Sequence, residues 1–261
     1  MCRYMKEWIA ILRISLQFFT ILPLAKTVQW TEKRTARSLF VLPWIGMLLG
    51  LMFYSFLQLL QSSAITTIVD SILVLLLPLV LTGGLHLDGW MDVSDAYFSH
   101  QSKEKKLQIL SDPHVGSFAI LSLMVLLLLR FSAIYELESL SSLSIWACLI
   151  VFTLPRIGAA FLLMRDKPAK DTGLAAYFQK GVTKRSIYGF IIMSLFLVAI
   201  VVIFMDNKFI ILFFAGFLWL WIRFYRSQFG GVTGDVIGAT IEGGETFLWI
   251  ILWLSHVFVT A

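Results

Sequence analysis

The sequence predicts an all-α polytopic integral membrane protein, with about seven transmembrane helices and one interfacial helix near the N-terminus. Three observations predict it. Of 261 residues, 59% are hydrophobic and 14% charged, whereas an ordinary soluble domain is about 25% charged. Apolar runs long enough for a bilayer core recur along the chain, and no long polar region exists to form a second domain. The chain therefore reads as a single membrane-embedded unit, 1–261. The third observation is where the charges lie. Segments 1–38, 86–114, 164–185 and 223–235 hold 18 of the 21 lysines and arginines, and the alternate connections hold only Lys208. By the positive-inside rule these four basic segments and the N-terminus are expected in the cytoplasm.

Each element has its own signal. Residues 5–24 mix apolar and polar groups at helical spacing up to Pro23, which predicts an amphipathic helix in the interface rather than a span. The next segment, 25–38, is polar and basic, with Lys26, Lys33, Arg34 and Arg37. The first span is expected at 39–60. It contains Pro43 and the pair Gly46-x-x-x-Gly50, which either admits a close neighbouring helix or is a chance pairing of small residues. The second, 71–85, follows Asp70 and contains Pro78. The third, 115–132, carries Arg130 near its end, read as snorkelling to the surface. In the fourth, 143–163, the pair Pro155-Arg156 leaves two readings open, a snorkelling arginine at a kink or an anion-facing one. Spans five and six, 186–205 and 208–224, are joined by the turn Met205-Asp206-Asn207-Lys208, and the last covers 235–260.

Two acidic stripes interrupt this apolar pattern. Asp88, Asp92 and Asp95 are spaced i, i+4, i+7 and so share one helix face. Carboxylates beside a bilayer core are costly, about 2.5–3.5 kcal/mol each at the helix centre, and so face a polar cavity or a partner. Either they belong to a solvated loop, or they hold a cation; glycines 83, 84 and 89 around them would let a phosphate or another backbone come close. All-oxygen ligands of this kind suit Mg²⁺ or Mn²⁺. Asp235 and Glu242, i and i+7, form the second stripe, with Glu245 at its edge.

Acids that hold a metal, with basic groups that offset phosphate charge, make a phosphoryl-transfer site. Asp88, Asp92 and Asp95 are the expected catalytic residues, and these three with Asp235 and Glu242 the expected metal ligands. Arg37, Lys105, Arg156, Arg165 and Arg226 are the expected phosphate-binding groups. His86, Asp112 and Glu245 are further candidates, His86 as a group that supports the carboxylates or as a solvated interfacial residue more than as a base. Trp90 reads either as a membrane-belt residue or as a ring for stacking. Both stripes are expected to share one site through one or two cations; the alternative has Asp235 capping its helix and Glu242 paired with an arginine such as Arg156. The histidines lack zinc spacing, Cys2 and Cys148 form no framework, and no P-loop or Gly-x-Ser-x-Gly elbow occurs.

Two long motifs carry a family resemblance. Gly83-Gly84-Leu85-His86-Leu87-Asp88-Gly89, with Asp92, Asp95, Asp112 and Gly116, is one. Gly230-Gly231-Val232-Thr233-Gly234-Asp235-Val236-Ile237-Gly238-Ala239, with Glu242 and Glu245, is the other. Phe18-Phe19-Thr20-Ile21-Leu22-Pro23, Arg37 with Pro43 and Gly46, and Arg156 with Arg165 extend it over nearly the whole chain. The pattern resembles the cobalamin-5′-phosphate synthase (adenosylcobinamide-GDP ribazoletransferase) family. The resemblance implies Mg²⁺ as the cofactor, and the Mg²⁺-dependent joining of adenosylcobinamide-GDP to α-ribazole or its 5′-phosphate with release of GMP. It further implies a prokaryotic cytoplasmic (inner) membrane location, an active site facing the cytoplasm, and small molecules and the lipid bilayer as partners, with no nucleic acid and with a homo-oligomer left open. The chain departs from the pattern at Gln108, where the family usually has Glu, at Ser111 and Pro113 beside Asp112, and at Gly243-Gly244, read as a kink point. Two rivals remain. A CDP-alcohol phosphotransferase would carry Asp-Gly-x-x-Ala-Arg, but Gly89 is followed by Trp-Met-Asp-Val. An ion or metal transporter would carry its acids near the bilayer midplane.

Overall fold

The computed structural model describes residues 2–22, 28–63, 65–205 and 207–260. Pro23 and Lys26 of the first basic segment, and Asp206 of the 205–208 turn, lie outside the described residues. Helices follow one another as α1 (Cys2–Phe19), α2 (Glu32–Ser38), α3 (Leu42–Gln61), α4 (Thr67–Thr82), α5 (Leu85–Phe98) and α6 (Lys103–Ile109). Then come α7 (Ser117–Ser139), α8 (Ile145–Arg165), α9 (Leu174–Gln179), α10 (Lys184–Ile203), α11 (Ile210–Phe229) and α12 (Gly234–Thr260). No strand occurs among the described residues, so the expected all-α class holds.

Six segments are long and apolar enough to cross a membrane: α3 with α2 before it, α7, α8, α10, α11 and α12. The second expected span, 71–85, falls on a bent helix pair, either a broken span or a re-entrant loop. At ~1.5 Å per residue, the 16 residues of α4 extend ~24 Å, short of a ~30 Å hydrocarbon core. The chain then bends by 93° into α5. Gly83 and Gly84 make this bend, with φ of +65° and +73°, a region costly for residues with a Cβ. Their N–H groups donate to Val80 O and Leu79 O, closing the end of α4. Thus α5 is not itself a span; it turns across the end of the bundle that carries the basic segments. Helix α1 exposes Met5, Trp8, Ile9 and Leu12 on one face and buries Ile11 and Ile14 on the other, as an interfacial helix should.

Helices α8 and α12 form the interior. Of their apolar stretches 89% and 78% are buried, against 28% in α7, 22% in α10 and 17% in α11, whose free faces are left for lipid. Helix α3 comes close to α8 at the small pair: a Cβ on Gly46 would lie 2.5 Å from Phe152 O, and one on Gly50 2.7 Å from Cys148 O. Helix α12 runs unbroken through Gly243-Gly244, which instead give room to Trp90 and Pro155.

Candidate active site

Close crossing of α5 over the start of α12 builds the site. A Cβ on Gly89 would lie 2.7 Å from Asp235 O, and one on Gly238 2.9 Å from His86 O. The two backbones touch because both positions lack a side chain. The contact sets Asp88 and Asp235 on the wall of one cavity of about 100 Å³. Asp235 also lines a second cavity of about 180 Å³ with Ser111, Lys170, Thr172 and Thr233. Thr233 caps α12, its Oγ1 accepting from Val236 N at 3.1 Å, so the Asp235 side chain is not needed as the cap.

The acidic stripe is electrostatically coupled across the two helices. Burial pushes the Asp92 carboxyl up to about 7, and the charges of Asp88, Asp235 and Asp95 push it the same way. Asp95 packs against Gly116, where a Cβ would collide with its carboxylate. Among the described residues, no three His, Cys, Asp or Glu side chains stand close enough to enclose a metal ion by themselves. Mg²⁺ is commonly held by one or two carboxylates with waters and substrate phosphates. The donor chemistry of Asp88, Asp92 and Asp235 fits that manner of binding, and a cation there would offset their mutual repulsion.

His86 is 3% exposed, and its Nδ1 and Nε2 have no hydrogen-bond partner among the described residues. Burial, reinforced by the positive charge of Arg156, pushes its pKa down to about 3. The ring is therefore neutral, and it lines the smaller cavity beside Asp88.

Other expected site residues lie elsewhere. Arg130, expected to snorkel, is 1% exposed. Its Nη2 donates to Glu242 Oε2 at 2.8 Å and its Nε to Thr246 Oγ1 at 3.0 Å. Arg156, expected to bind phosphate, donates instead to Glu245 Oε1 at 2.5 Å and Phe152 O at 2.7 Å. Glu242 is thus placed in a buried ionic cluster and not on the cavity with Asp88 and Asp235. Buried charges must be paired, and for Glu242 and Glu245 the partners are Arg130 of α7 and Arg156 of α8. The sequence alternative that paired Glu242 with an arginine describes this part of the structure, with Arg130 as the partner.

Arg226 also has a protein partner: its Nη2 donates to Asp166 Oδ1 at 2.6 Å, and Tyr225 OH donates to Asp166 Oδ2. Burial alone would raise the Asp166 carboxyl; the hydrogen bonds from Arg226 and Tyr225 outweigh it and hold the pKa below the ordinary range. Arg37, Lys105 and Arg165 are exposed. Asp112 is exposed and bound to His114, its Oδ1 2.6 Å from Nδ1.

Lys170 was not singled out by the sequence. Its Nζ donates to Leu107 O at 2.8 Å and to Ser111 Oγ at 2.7 Å, which holds it on the second cavity with Asp235. The backbone there is fastened by a short parallel bridge, Ala169 N to Val232 O at 2.9 Å and Val232 N to Lys167 O at 2.8 Å. Nothing in a run of basic residues marks which one such a bridge will place. Only the Gly-Gly before Val232 hints at a close backbone approach.

Comparison with known proteins adds an independent line. A family model described as cobalamin-5-phosphate synthase matches residues 11–253. A Halalkalibacterium halodurans protein named adenosylcobinamide-GDP ribazoletransferase is 36% identical over 98% of this chain and 100% of its own length. Proteins of the same name from a Geobacillus species and from Treponema denticola are 35% and 32% identical. They cover 94% and 88% of this chain, and 96% and 92% of their own. No solved structure matches.

Proposed function

Because this chain belongs to the cobalamin-5-phosphate synthase family and is a membrane-embedded transferase of cobalamin biosynthesis, we propose a specific reaction for it. It transfers the cobinamide-phosphoryl group of adenosylcobinamide-GDP to α-ribazole or α-ribazole 5′-phosphate and releases GMP. The geometric observation that carries this reading is the pairing of Asp88 and Asp235 on one cavity, with Lys170 beside Asp235.

The acceptor ribose hydroxyl attacks the phosphorus that bears the cobinamide, and the bond from that phosphorus to the GMP oxygen breaks. A carboxylate of the Asp88, Asp92, Asp95 stripe that holds no metal accepts the hydroxyl proton. Lys170 offsets phosphate charge. Asp88, Asp92 and Asp235 would hold Mg²⁺, which would supply charge neutralisation to the phosphoryl oxygens. The crossing of α5 on α12 fixes the acids relative to each other before substrate arrives, which lowers the cost of organising the transition state.

The test is release of GMP from the purified, detergent-solubilised protein. Release is expected only when both substrates and Mg²⁺ are present, and EDTA is expected to abolish it. GMP release from the donor alone, without acceptor, would make the protein a hydrolase and remove the transfer reading.

A further inference from the structure

The smaller cavity has a lining that phosphoryl transfer does not use. Phe18 and Phe19 from α1, Leu163 from α8, Phe178 from α9 and Ile237 from α12 wall it, and its polar groups are His86, Asp88 and Asp235. The aromatic rings are arranged about the space, with Phe18 and Phe178 centroids 5.6 Å apart and those of Phe19 and His86 6.3 Å apart. His86 has two buried, unpartnered nitrogens, and buried polar atoms left without partners are unfavourable. An imidazole N–H can donate to a ring nitrogen that enters the cavity. The adjoining cavity shares Leu174, Ala175, Gly234 and Asp235 with this one, but adds the polar side chains of Ser111, Lys170, Thr172 and Thr233.

We infer that the apolar cavity takes the heteroaromatic base of the acceptor nucleoside, hydrogen-bonded by His86, while the sugar lies at Asp235 with its 5′ side toward Lys170. The inference rests on the transferase reading above and names the specificity-determining part of that site. A cavity of about 100 Å³ is too small for a nucleoside, so the edge of the base enters and the sugar stays at the carboxylates. The chemistry favours the acceptor base over the guanine of the donor. Guanine presents a carbonyl, a ring N–H and an amine on one edge, and with Asp88 and Asp235 engaged by the cation and the sugar, a single imidazole leaves some of these unpaired among phenylalanines. A benzimidazole presents an apolar ring and one free ring nitrogen, which His86 satisfies as donor.

Two measurements on the full chain in detergent test it: titration calorimetry with benzimidazole riboside alone, without donor or Mg²⁺, and the KM of each substrate in the GMP-release assay. His86→Phe is expected to weaken riboside binding and raise its KM roughly tenfold, with the donor KM unchanged. His86→Asn, which keeps a donor and an acceptor, is expected to retain most of the affinity. Phe178→Trp fills the cavity and is expected to weaken riboside binding similarly, so it decides the matter should His86→Phe not fold. Unchanged riboside binding in the folded variants overturns the inference, as does a rise in donor KM in place of acceptor KM, which would put guanine in the cavity. Wild-type protein that binds riboside yet releases no GMP sinks the transferase reading instead.

Discussion

A carboxylate near a bilayer core needs a partner, and α12 satisfies its three in two different ways. Glu242 and Glu245 are held by Arg130 and Arg156 inside the bundle, while Asp235 faces two cavities. The two classes should respond oppositely to neutralisation. Glu242→Gln leaves Arg130 without its nearest counter-charge in a dry place, and breaking a buried pair costs about 3–5 kcal/mol. A lower melting temperature in detergent is expected, with the Mg²⁺ dependence of GMP release unchanged in the folded fraction. Asp235→Asn should melt close to wild type and lose on the order of 10²–10³ in turnover, the usual scale for one charge-stabilising group, with a weakened Mg²⁺ dependence. Asp88→Asn should behave like Asp235→Asn, and the double variant should be little worse than either alone, because both act through one site. Melting curves and Mg²⁺ titrations of the four proteins separate these outcomes. A Glu242→Gln variant that melts normally but loses its Mg²⁺ dependence would put Glu242 in the proposed metal site.

Between residues and bundle, the α5–α12 crossing is the element on which the site depends. Gly89 and Gly84 lie five residues apart and do different work. A Cβ on Gly89 meets the backbone of Asp235, which cannot yield, whereas one on Gly84 meets nothing but sits at φ +73°. Gly89→Ala should therefore push α5 off α12 and cost turnover about 10²-fold, the scale of a ~1 Å misplacement. Gly84→Ala should cost about 1–2 kcal/mol of stability and leave turnover nearly intact. Equal losses of turnover in both would show that the crossing is not what aligns the acids. Part of this was legible beforehand. The i, i+4, i+7 register of Asp88, Asp92 and Asp95 put them on one face whatever they met, and the Gly46/Gly50 pair does contact another helix. The glycines at 83 and 84 were read as room for a phosphate or another backbone, yet they make the 93° bend, because sequence shows the absence of a side chain and not what occupies its place. Arg130 was less legible still. A lone arginine near the end of an apolar run has the same local pattern whether it snorkels or meets Glu242, 112 residues away.

Over the whole molecule, the distribution of charge and the distribution of acids agree. The acidic stripe, the capped start of α12 and the Lys170 segment all sit at the end of the bundle that carries the basic connections. With α4 as a broken seventh crossing, the connections on that side hold 18 of the 21 lysines and arginines, and the positive-inside rule assigns them to the cytoplasm. With only six crossings the alternation fails: 86–114, 164–185 and 223–235, with 11 lysines and arginines, would all fall on the side opposite 1–38, which holds 7. The crossing by α4 is the weak point, since its 16 residues are short for a bilayer, and it is the point to test. Single cysteines at exposed Lys103, between α5 and α7, and at exposed Leu140, after α7, read the two sides of it. In intact cells an impermeant thiol reagent is expected to label position 140 and to leave position 103 untouched until the membrane is opened. Labelling at 103 in intact cells would mean that α4 and α5 form a re-entrant pair and not a crossing. The acids of α5 would then face away from the compartment in which nucleotide substrates are made.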